Sequence, residues 1–214
     1  MKNTVLLLPI GVALVISGAA HAARSSSVAV NGVSRPPPCN LTLGDDGIAD
    51  YGMIPAASLI RGNYTDLPYK NVALRIACPR KTRVGLSVTD NRPDSLIVAF
   101  GEARYNFGLG KAGGANIGGY RLFLEQSGVT TDGRPANQIF SVIGSRNWNK
   151  TGPGGQLGKD RLFSWAAPNT SVPAMFQTIS GSILIIPTLN KPENLPMMQQ
   201  IKLDGAVTLE IMYL

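Results

Sequence analysis

The chain has 214 residues, 44% of them hydrophobic and 15% charged, with a net charge of +7. That balance supports a packed core and lacks the low-hydrophobicity, high-charge composition of a disordered chain. Its one histidine is His21. If residues 1–22 are removed as a leader, the rest suits a single domain and holds no imidazole for a metal, a general base or a Ser-His-Asp triad.

Residues 1–22 read as a secretory signal peptide. Lys2 gives a basic start, residues 5–16 an apolar run, and Ala20-His21-Ala22 a small-residue cleavage site. The apolar run is shorter than the ~20 residues that span a bilayer. Export implies an oxidising compartment, so the two cysteines, Cys39 and Cys78, are expected to form one structural disulfide.

Residues 23–38 are small and polar, with a brief alternation at Val28, Val30 and Gly32 before Arg35-Pro36-Pro37-Pro38, and are expected to form an extended arm. Period-two patterning follows. Val72, Leu74 and Ile76, then Val84, Leu86 and Val88, then Tyr120, Leu122 and Leu124 alternate with polar or small residues, as half-buried strands do. Residues 139–143 and 182–186 read as buried strands, and Val207, Leu209, Ile211 and Tyr213 form a last alternating strand. No stretch keeps a 3.6-residue period, and Gly, Pro, Asn and Asp punctuate the connections. The expectation is an all-β fold, an immunoglobulin-like antiparallel sandwich over residues 39–214. Residues 101–119 and 147–160 are expected to be long Gly/Asn-rich surface loops and the places where recognition occurs.

The motifs that could carry chemistry have plainer readings. Gly108-Leu109-Gly110-Lys111-Ala112-Gly113 satisfies G-x-G-x-x-G, but no helical pattern follows it, so it reads as a flexible loop. Asp45, Asp46, Asp90, Asp94 and Asp132 could pair for glycoside hydrolysis, yet all lie in turn sequence, where Asp bonds its own backbone. Trp148, Trp165, Tyr105 and Tyr120 could stack on sugars or pack in the core. Arg75, Arg80, Lys81 and Arg83 read as a solvated strand end rather than a nucleic-acid surface. The sequence thus predicts a protein without catalytic residues, metal or cofactor.

The order of features resembles the subunits of chaperone-usher pili: a leader, a short alternating arm, Pro36-Pro37-Pro38-Cys39, a second cysteine ending a strand, and a last strand with Tyr213 next to the end. More closely, Asp50-Tyr51-Gly52, Leu67-Pro68, Thr89-Asp90-Asn91-Arg92, Phe107-Gly108-Leu109-Gly110 and Ile117-Gly118-Gly119-Tyr120 look like the bacterial DUF1120, beta-fimbrial group. The resemblance implies a pilin-like sandwich short of one strand, exported to the periplasm, held by a chaperone and delivered through an outer-membrane usher to a surface fimbrium with a role in adhesion. It also implies polymerisation by donor-strand complementation. Val28, Val30 and Gly32 of each arm would fill a groove in the next copy, and Val207, Leu209, Ile211 and Tyr213 would pair with the chaperone. A host or surface glycan is the implied receptor class. The alternative from the residues alone is a self-contained exported sandwich that binds a glycan or small ligand.

Overall fold

Strands form where the sequence alternates, because a strand with apolar residues at every second position can bury one face and leave the other in water. The computed structural model describes residues 38–97, 101–152 and 154–214; the expected leader and the arm with Val28, Val30 and Gly32 lie outside the described residues. The main strands are β1 (Asn40–Leu43), β2 (Lys70–Thr82), β3 (Val84–Asp90), β4 (Phe107–Gly108) and β5 (Gly118–Leu124). They continue with β6 (Asn137–Val142), β7 (Arg161–Ala166), β8 (Phe176–Leu189) and β9 (Val207–Tyr213). Among the described residues there is no α-helix, and the helical turns are short 3-10 segments.

Two antiparallel sheets face each other. One runs β1-β2-β8-β5-β4, with Thr65–Asp66 and Thr130–Thr131 pairing along β8. The other starts at Asn149–Lys150 and runs β6-β7-β3-β9. The chain passes from the first sheet to the second at Arg83, between β2 and β3. The expected β-sandwich is therefore present.

Its core follows from the alternation. Leu74 and Ile76 of β2, Ile179 and Ile183 of β8, and Leu122 and Leu124 of β5 meet Val84, Leu86 and Val88 of β3 and Phe163 and Trp165 of β7. Each such side chain, taken fully out of water, stabilises the fold by roughly 1.5–3 kcal/mol before entropy is counted. Trp165 and Tyr120 belong to this core, so their ring faces are not offered to a sugar. Burial pushes the Tyr120 hydroxyl well above the usual tyrosine range, and it stays neutral.

The two segments expected as surface loops fold partly inward. Phe107, Leu109 and Ile117 are buried, as is Leu157. The glycines that suggested loops instead permit close packing. A Cβ on Gly108 would sit 2.2 Å from the Arg92 carbonyl oxygen, and one on Gly118 would sit 2.3 Å from that of Thr188. Only the tip of the G-x-G-x-x-G stretch turns outward: Lys111–Ala112 pairs with Ala115–Asn116 across Gly113 and Gly114, both at positive φ, as a two-residue hairpin requires.

The aspartates serve the fold, and Asp132 and Asp90 do so by binding backbone distant in sequence rather than only their own turns. Asp45 and Asp46 occupy left-handed backbone at φ 49° and 50° in the turn after β1. Asp132 accepts backbone N–H bonds from Gln177 and Thr178, which hold its carboxyl below the usual range. Asp90 is buried, accepts N–H bonds from Arg92 and Gly108, and lies 3.7 Å from the Lys159 ammonium. It ties the end of β3 to β4.

Candidate strand-acceptor groove

The site is defined by two strands that each have one partner. β1 pairs with β2 and β9 pairs with β3, so they are the edges of the two sheets on the side where β2 gives way to β3. Among the described residues no strand pairs with the outer edge of either. Cys39 and Cys78 are joined by a disulfide with Cα atoms 4.1 Å apart, which fastens the start of β1 to β2.

The ladder of β9 decides which of its groups face outward. Asn91 donates to the Ala206 carbonyl and Leu214 donates to that of Arg83, so the even-numbered residues exchange their backbone bonds with β3. The N–H and C=O groups of Val207, Leu209, Ile211 and Tyr213 therefore point away from β3. In a pleated strand the same alternation sets the side-chain face. Val207, Leu209 and Ile211 pack against the core yet stay only half-buried, whereas Leu86 and Val88, one strand further in, are buried. Leu41 and Leu43 of β1 are likewise half-buried against the same core.

The two walls run antiparallel. At one end the Cys39 amide donates to the Tyr213 hydroxyl at 2.7 Å, bridging the start of β1 and the end of β9. At the other end residues 47–54, which continue the β1 wall, face residues 199–205, which lead into β9, across a cavity of about 770 Å³. Ile117, Leu189 and Leu195 line it from the core side, and its charged lining residues are Asp50 and Lys202. Ile48 and Met53, which line it, are largely exposed. Tyr51 lines the cavity, donates toward the Ile185 carbonyl, and has its hydroxyl pushed up to about 12 by burial. An apolar trough beside a row of backbone groups that have no partner among the described residues suits an extended peptide better than a polar small molecule.

The structure thus brings together Cys39, Cys78, Val207, Leu209, Ile211 and Tyr213; Val28, Val30 and Gly32 lie outside the described residues. Sequence reasoning missed the second wall, Leu41, Leu43 and residues 47–54, because β1 is four residues long and the wall beyond it is irregular. The signal available was Ile48 and Met53, apolar residues with no periodic partner.

Residues 28–103, about a third of the chain, match the family model described as a protein of unknown function (DUF1120). The match takes in Val28, Val30, Gly32, both cysteines and β1 to β3. The chain is 22% identical over 242 aligned positions to the uncharacterized protein YhcF of Escherichia coli (strain K12), an alignment spanning 99% of this chain and all of the relative. It is 24% identical over 234 positions to the protein GltF of the same organism, spanning 92% of each.

Proposed function

We propose that this protein is a structural subunit, without catalytic activity, that is completed by a β-strand from a second copy and so assembles head to tail into a surface fimbrium. The observation that carries this reading is the outer edge of β9, which no strand among the described residues covers: four N–H and four C=O groups beside a half-buried apolar face. An unpaired edge over apolar surface is an aggregation hazard unless another strand covers it.

The occupant is the arm of a neighbour, residues 26–34. Nine extended residues span about 30 Å at roughly 3.3 Å each, enough to run the length of seven-residue β9. Val28 and Val30 would face the trough, and Gly32 allows close backbone approach. Its own groove is a poor destination. Proline at three successive positions, 36 to 38, is a sequence feature that disfavours the tight reversal which folding back beside Cys39 would need.

Export through a periplasm, where a chaperone occupies the groove before an usher exchanges it for the next subunit's arm, fits the leader-like residues 1–22 and the Cys39–Cys78 disulfide. Deleting residues 26–34 from the exported chain tests the reading: fibres, seen by electron microscopy, are expected to be lost while the chaperone-bound monomer remains. Unchanged fibres remove the arm's role. A cavity that instead bound a small apolar ligand would leave assembly indifferent to the arm.

A further inference from the structure

A bare strand edge does not fix where a partner starts or stops, because a slip of two residues keeps every side chain on its proper face. The groove has one asymmetry that can fix it. Its cavity end is open between residues 47–54 and 199–205, while its other end is crossed by the Tyr213 side chain. Alternation places Tyr213 on the core side of β9, yet it is half-exposed, because its ring reaches over the rim of the sandwich to Cys39 instead of entering the core. The Tyr213 backbone N–H and C=O point into the gap like those of Val207, Leu209 and Ile211, so the ladder on offer continues to the end of the strand.

We infer that Tyr213 is the end stop of the groove. Its hydroxyl takes the Cys39 amide and its ring crosses the gap, so a seated strand pairs with Val207, Leu209 and Ile211 and ends before Tyr213. The inference rests on the strand-acceptor reading and adds the register of the neighbour's arm to it. The stop is firmly held on both sides. Cys39 is anchored to β2 through its disulfide with Cys78, and Tyr213 lies in register with Val84 of β3. A packing role for the tyrosine would affect stability alone; a stop also decides which amide remains open when the groove is filled.

The test is residue-resolved amide hydrogen exchange on residues 23–214, kept dilute, with and without an excess of a synthetic peptide of residues 26–34. In the wild type the peptide is expected to slow exchange at Val207, Leu209 and Ile211 by roughly tenfold or more and leave Tyr213 unchanged. In Tyr213→Phe, which keeps the ring and removes the hydroxyl, and in Tyr213→Ala, which removes both, protection is expected to extend to the amide of residue 213. Equal protection at all four positions in the wild type, or an unchanged pattern in both variants, overturns the end stop and leaves the acceptor groove standing. No protection at any of the four, in any variant, overturns both.

Discussion

Replacing Cys39 and Cys78 together with alanine is expected to lower the free energy of unfolding by about 2–5 kcal/mol, read as a fall in the urea midpoint. The bond closes a loop with a sequence separation of 39, and on the chain-entropy model its loss releases that much freedom to the unfolded chain. A local effect adds to this. β1 has four residues and, among the described residues, pairs on one side only, too little contact to hold an edge strand alone. Loss of the bond should therefore loosen the β1 wall, and with it the Cys39 amide that meets Tyr213. An unchanged midpoint in the double variant, with an unchanged slope, would show that β1 is held by something other than the disulfide.

Filling the free edge of β9 is the second large effect. For a chain lacking residues 26–34, a peptide of that sequence at about a hundred times its dissociation constant is expected to add roughly 2.7 kcal/mol of stability by mass action. In a domain of this size that raises the melting midpoint by roughly 5–10 °C. The peptide carrying V28D and V30D should give no rise, because each aspartate would bring a charge against the apolar face formed by Val207, Leu209, Ile211, Leu41 and Leu43. Equal stabilisation by both peptides would point to a nonspecific effect of peptide addition and remove the pairing in register.

The fold was legible because its strands alternate cleanly. Val72, Leu74 and Ile76, Val84, Leu86 and Val88, and Val207, Leu209 and Ile211 all lie on strands with those residues toward the core. Legibility failed where glycine has two meanings. Gly108 and Gly118 resemble loop residues in composition, but they let backbones approach within the range a side chain would forbid, and Phe107 and Ile117 beside them are buried. Composition cannot separate a glycine that bends the chain from one that makes room for a neighbour.

The candidate site was half legible for a similar reason. Alternation fixed the inward face of β9, but not whether β9 was an edge or an interior strand, which depends on what pairs beyond it. That is a long-range property, and Val207, Leu209 and Ile211 would look the same in either place. The half-burial of these residues and the lack of a second partner strand among the described residues are what distinguish the edge. Tyr213 continues the alternation of Val207, Leu209 and Ile211 in the sequence, but its reach to Cys39 depends on two sheets meeting and has no sequence signal.

The most direct measurement of the central claim mixes isotope-labelled protein lacking residues 26–34 with unlabelled chain that keeps its arm, and follows amide exchange in the labelled partner. Slower exchange at Val207, Leu209 and Ile211 that grows with the concentration of the unlabelled chain, and that vanishes when the unlabelled chain also lacks its arm, is the predicted result. Exchange at those three amides that stays the same whatever the unlabelled partner carries would contradict it.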